Sequence, residues 1–161
     1  MKLIRFGEPG REKPGVELPD GKRLDVSEWI PDYDPEFFAC GGMERLKQVA
    51  TPQRCPAVPG NVRLGPPVAR PYQFLAVGLN YRKHAQEMNA PIPKEPELFV
   101  KLTSSICGPN DDILTPKAST KLDYEVELAF VMKDRTRYLS SEAESLQHVA
   151  GFLICNDVSE R

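Results

Sequence analysis

The chain has 161 residues, enough for one ordinary domain or for a small domain and part of another. Hydrophobic residues make up 40% and charged residues 27%, a globular balance that excludes a disordered chain. A formal charge of -2 excludes a global field that would recruit nucleic acid or an anionic membrane, and no apolar run approaches the about 20 residues of a membrane helix.

The opening residues, MKLIRFGEPG, contain neither an apolar signal core nor an Arg-rich amphipathic stretch, which makes the cytoplasm the expected location. The four cysteines, Cys40, Cys55, Cys107 and Cys155, form no C-x-x-C pair. They read as free thiols, with Cys155 buried in the apolar run GFLIC, and no Cys/His cluster has the spacing of a zinc site. The sixteen prolines suggest many extended segments joined by rigid turns.

In chain order, Lys2–Phe6 reads as a strand. GVELPDGKRLDV reads as a hairpin whose turn is supplied by Pro19, Asp20 and Gly21. MERLKQVA is a short helical stretch with Met43, Leu46 and Val49 at spacing three. VPGNVRLGPPVARP reads as a linker, which places a domain boundary near residue 65: a small N-terminal β domain over 1–65 and a second domain over 66–161. In the second segment FLAVG and LFVKL have the pattern of strands, with the helix-compatible YRKHAQEMN between them. CGPNDDILTP is a turn-rich connection. Lys121–Val131 is the clearest strand pattern. Ser141 and Glu144 form a capping box opening the helix SEAESLQHVA, which Gly151 is placed to stop, and GFLICNDVSER is a last apolar strand with a polar end. The fold class is mostly β with minor helix (α+β).

Lys121–Val131 carries the chemistry. At period two, Leu122, Tyr124, Val126, Leu128 and Phe130 share one face, and Asp123, Glu125 and Glu127 share the other. Same-face neighbours lie roughly 6.5 Å apart, so the carboxylates repel unless solvent, basic partners or a cation intervene. A hard divalent cation is one solution, since Mg²⁺ takes a few carboxylates and keeps open water positions. A strand with one solvated acidic face has the same pattern, and spacing does not separate the two. Asp157, after the apolar run, is a carboxylate delivered at a strand end or simply a turn residue. His84 and Glu87 stand at i and i+3, where a helical turn makes them an imidazole–carboxylate pair or an ordinary surface pair. Lys101 is either a substrate ligand or a solvated strand residue. His148 has no acidic partner at suggestive spacing and reads as structural.

Four blocks, VGLNYRKHAQEM, PKEPELFVKLTSSICGPNDDILTP, LDYEVELAFVM and VAGFLICNDVSER, stand in the order of the fumarylacetoacetate hydrolase superfamily. The sequence resembles that family over about Phe74–Arg161. Its first 64 residues are a looser match to the N-terminal domain of the branch named for 2-keto-acid hydrolases and ureidoglycolate lyases. The resemblance implies a mixed β-roll around a divalent metal, Mg²⁺ or Mn²⁺, held by Glu125, Glu127 and Asp157. It implies His84 and Glu87 as the pair that activates water, leaves Asp123 outside the metal set, and makes a homodimer the expected assembly. The implied substrate is a small oxo-acid: an acylpyruvate or other diketo acid cleaved at a C–C bond, or ureidoglycolate. Family members continue well beyond NDVSER, where this chain stops. The resemblance thus implies either an enzyme or a catalytically incomplete remnant that binds metal or a full-length family partner.

Overall fold

The computed structural model describes residues 1–161, which fall into two compact units, one formed by 1–69 with 108–161 and the other by 70–107. The first 65 residues hold a whole four-stranded sheet, but compactness groups them with 108–161. No helix is long and apolar enough to cross a membrane.

The sheet has the antiparallel order β3-β2-β1-β4, with β1 Lys2–Phe6, β2 Lys13–Glu17, β3 Arg23–Asp25 and β4 Leu64–Gly65. The β2–β3 hairpin turns through Gly21 at φ +82°, a left-handed conformation that favours glycine. The Pro-rich stretch read as a linker is only partly one: Leu64 and Gly65 pair with Phe6 and Arg5 and close the sheet edge. Helix α1, Pro35–Ala39, is capped by the Asp34 side chain, which accepts the Phe37 amide at 3.0 Å. Helix α2, Gly42–Val49, buries Leu46 and Val49 as its spacing predicts. These elements enclose a core of Val16, Leu24, Val26, Ile30, Tyr33, Phe37, Phe38, Leu46 and Cys55. The Tyr33 ring packs 4.9 Å from Phe37, and its hydroxyl donates to the Gly15 carbonyl at 2.7 Å.

In the second unit, β5 (Phe74–Gly78) pairs antiparallel with β6 (Glu97–Lys101), with α3 (Arg82–Glu87) between them. Between β5 and α3, Leu79 has φ 49°, an uncommon conformation for a leucine.

After residue 108 the expected single strand over Lys121–Val131 is two. Strand β7 (Leu122–Asp123) pairs with β10 (Ser159–Glu160), and β8 (Val126–Met132) pairs with β9 (Val149–Asn156). The period-two pattern runs through the break at Tyr124–Glu125 because both strands keep the same alternation. Helix α4, Glu142–Gln147, is capped by Ser141 as expected. It ends at His148, so Gly151 is not its stop and lies inside β9. Val131 and Ala150 pack against the core, rooting the β8–β9 hairpin on the N-terminal sheet.

Candidate functional site

Register decides which side chains share a face. Glu127 stands opposite Cys155, and one step on, the Asp157 amide donates to the Glu125 carbonyl at 2.8 Å. Directly opposed residues of an antiparallel pair project to the same side. Glu125, Glu127, Cys155 and Asp157 therefore line one face, and Val126, Leu128, Phe130, Phe152 and Ile154 line the other. The burial is the reverse of a solvated acidic strand: Glu125, Glu127 and Asp157 are half-buried, whereas Leu128 is 65% and Ile154 80% exposed. Cys155 is half-buried, not fully buried as expected, and all four cysteines are free.

Two residues missed by the sequence reading build this corner. The Asn156 side-chain carbonyl accepts the Glu125 amide at 3.1 Å, fixing the backbone where β7 gives way to β8. Arg161 bridges Asp123 and Glu125, with Nε to Asp123 Oδ2 at 3.1 Å and Nη1 to Glu125 Oε1 at 2.9 Å. Both sit in the polar stretch NDVSER, Asn156 directly before Asp157 and Arg161 at its end. Glu160 secures the same segment: it accepts the amides of Thr120 and Lys121 at 3.0 and 3.1 Å and the Ser119 hydroxyl, which together hold its carboxyl below the ordinary range.

Three carboxylates on one half-buried face are a hard-oxygen donor set of the kind Mg²⁺ and Mn²⁺ take. The fit lies in the backbone and in donor chemistry; the side chains themselves do not converge into a group able to hold a metal. Asp123 and Glu125 thus share one basic partner, Arg161.

His84 and Glu87 lie in the second unit, apart in the chain from the carboxylate face. His84 Nδ1 is 3.9 Å from Glu87 Oε2, within ion-pair range but too far for a hydrogen bond; His84 is half-buried and Glu87 exposed. Lys101 closes β6 opposite Phe74. His148 has the acidic partner the sequence reading denied it: its Nδ1 is 2.6 Å from Asp134 Oδ1, a pair brought together near the two ends of the α4-containing connection between β8 and β9.

Comparison with known proteins decides the family. Residues 73–161, more than half of the chain, match the family described as fumarylacetoacetate (FAA) hydrolase, C-terminal. The chain belongs to the fumarylacetoacetate hydrolase family. A Burkholderia multivorans relative, whose name goes no further than a hydrolase, is 47% identical over the whole chain, which covers 56% of that protein. The fumarylacetoacetate hydrolase of psychrophilic Exiguobacterium antarcticum is similar in structure, with a TM-score of 0.80 at 34% identity, over 100% of this chain and 57% of that one. A 5-carboxymethyl-2-hydroxymuconate delta-isomerase from Mycobacterium smegmatis matches with a TM-score of 0.65 at 28% identity, over 55% of its length. The chain thus spans about half the length of the relatives it matches, and its mostly β fold is that of the fumarylacetoacetate hydrolase family.

Proposed function

We propose that this fumarylacetoacetate hydrolase family chain belongs to a divalent-metal-dependent hydrolase or lyase of small oxo-acids. The supporting observation is the register that lines up Glu125, Glu127 and Asp157 on one half-buried face. In this reading those three residues hold Mg²⁺ or Mn²⁺, which when bound supplies Lewis-acid polarisation of the oxo-acid oxygens. Asn156 fixes the Glu125 backbone, and Arg161 orients its carboxylate by engaging Oε1. His84 takes the proton of the attacking water, with the Glu87 carboxylate 3.9 Å from its Nδ1. Acylpyruvates and related diketo acids are the substrate class proposed for hydrolysis, with ureidoglycolate the one proposed for the lyase. A cytoplasmic location is supported by the four free thiols.

The exposed apolar face of β8 and β9 supports a second reading, in which the chain is catalytically incomplete by itself and works against a second copy or a full-length relative. One assay separates the two. Purified chain is mixed with an acylpyruvate and Mn²⁺, and loss of the diketo absorbance is followed, with Glu125→Ala and His84→Gln as controls. Metal-dependent turnover abolished by Glu125→Ala supports the enzyme. Absence of turnover by the chain alone, restored by adding a full-length relative carrying its own Glu-to-Ala lesion, supports the second. Turnover indifferent to metal and to Glu125→Ala contradicts both.

A further inference from the structure

Asp123 is the one acidic residue of Lys121–Val131 to which the proposed chemistry gives no part. It stands in β7, across the break at Tyr124–Glu125 from the β8–β9 hairpin. Both of its carboxylate oxygens are engaged: Oδ1 accepts the Tyr124 amide at 2.9 Å, and Oδ2 accepts Arg161 Nε at 3.1 Å. The same guanidinium reaches Glu125 Oε1 through Nη1 at 2.9 Å. Arg161 is itself anchored through its backbone. Its amide donates to the Lys121 carbonyl at 3.0 Å, directly after the pairing of Ser159 with Asp123 and of Glu160 with Leu122. Glu160 fastens that pairing further by accepting the Thr120 and Lys121 amides. The two short strands thus form a small platform that carries Asp123 and Arg161 and from which Glu125 is held.

The side chains of Asp123 and Arg161 are 44% and 31% exposed, and ion pairs this wet do little for stability. A guanidinium divided between two carboxylates fixes geometry instead: its nitrogens lie in one plane, so the place of one carboxylate sets that of the other. Glu125 sits where β7 gives way to β8, and a carboxylate that binds metal depends on its own hydrogen-bond partners for its orientation. Charge acts the other way, since a guanidinium 2.9 Å from a ligand oxygen repels a cation. Geometry and charge therefore predict opposite signs for the loss of Arg161, which makes them separable by measurement.

We propose that Asp123 is a positioning residue for Glu125 and acts on it through Arg161. That role rests on the proposed function, in which Glu125 is a metal ligand. Mn²⁺ titrated into the purified 161-residue chain tests it, with free Mn²⁺ read by its electron paramagnetic resonance signal. The variants are Asp123→Asn, Arg161→Met, Arg161→Lys and the Asp123→Asn/Arg161→Met double variant, each checked for folding by thermal unfolding. Arg161→Met is expected to raise the dissociation constant about tenfold, against the sign that loss of a positive charge alone would give. Arg161→Lys keeps the charge but cannot span both carboxylates, and is expected to weaken binding nearly as much. Asp123→Asn is expected to weaken it several-fold, and the double variant to bind no more weakly than Arg161→Met, because without Arg161 nothing transmits the loss of Asp123. Tighter binding in Arg161→Met, or an equal loss from Asp123→Asn with and without Arg161, overturns the role of Asp123 and leaves the metal site standing. Should Arg161→Met fail to fold, Arg161→Lys decides in its place, alone and combined with Asp123→Asn, and binding as tight as the parent's in Arg161→Lys overturns the role. Absence of Mn²⁺ binding by the parent chain overturns the proposed function and this role with it.

Discussion

Replacing Leu128 by lysine tests the unusual orientation of β8, whose apolar face is turned outward. Leu128 is 65% exposed, so about a third of its surface is covered. Full burial of a leucine side chain stabilises by about 1.5–3 kcal/mol, which leaves about 0.5–1 kcal/mol at this position. A lysine stem covers much of the same surface with its ammonium in water, so Leu128→Lys is expected to cost about 1 kcal/mol or less. Val131, on the opposite face and packed against the core, is the internal control. Val131→Lys presses a charge onto apolar neighbours and is expected to cost about 2 kcal/mol or more. Urea unfolding reads both. With a slope of about 2 kcal/mol per molar, Leu128→Lys moves the midpoint by about 0.5 M or less, and Val131→Lys by about 1 M or more. A loss of about 3 kcal/mol at Leu128, the cost of truncating a core leucine, would refute the assignment of faces.

Tyr33→Phe keeps the ring and removes the hydroxyl that donates to Gly15, so it is expected to cost about 1 kcal/mol, read as a fall in the thermal midpoint of roughly 2–4 °C. The ion pairs of Arg63 with Glu12 at 3.0 Å and Asp111 at 2.6 Å also set a pH dependence. Burial pushes the Glu12 carboxyl up, but its own amide, Arg63 and Arg5 outweigh this and hold it below the ordinary value; Asp111 is held low by the Arg63 hydrogen bond and by the Gly108 amide. Folded-state values below the unfolded ones mean that this stability is complete above the ordinary carboxylate range of about 4 and is lost as pH falls through the lowered values. Urea midpoints measured from pH 7 down to pH 3 should therefore fall, and fall less steeply in Arg63→Met; equal slopes would contradict the assignment.

Much of the fold was legible because its signals are local. Lys2–Phe6, the Asp20–Gly21 turn, FLAVG and the Ser141 cap each announce themselves within a few residues. What was hidden depends on distant chain. Leu64 and Gly65 read as linker because only their pairing with β1 makes them a strand. The break after Asp123 is invisible in a continuing alternation, since it is forced by Ser159–Glu160 returning to pair with β7. Alternation names two faces without saying which is wet, and here the apolar one is exposed. For the candidate site, the spacing of Glu125 and Glu127 was legible, while the placement of Asp157 opposite Glu125 came from register. The Asp134–His148 pair was hidden because its members are fourteen residues apart and meet only through a hairpin.

The central claim is that the face bearing Glu125, Glu127 and Asp157 binds a divalent cation. The most direct measurement is thermal unfolding of the purified chain as Mn²⁺ is titrated in, beside the Glu125→Ala/Glu127→Ala double variant. At a hundred times its dissociation constant, a bound ion stabilises the folded state by about 2.7 kcal/mol, so the account predicts a saturable rise of several degrees that the double variant lacks. A midpoint indifferent to Mn²⁺, or one that rises equally in the double variant, would contradict it.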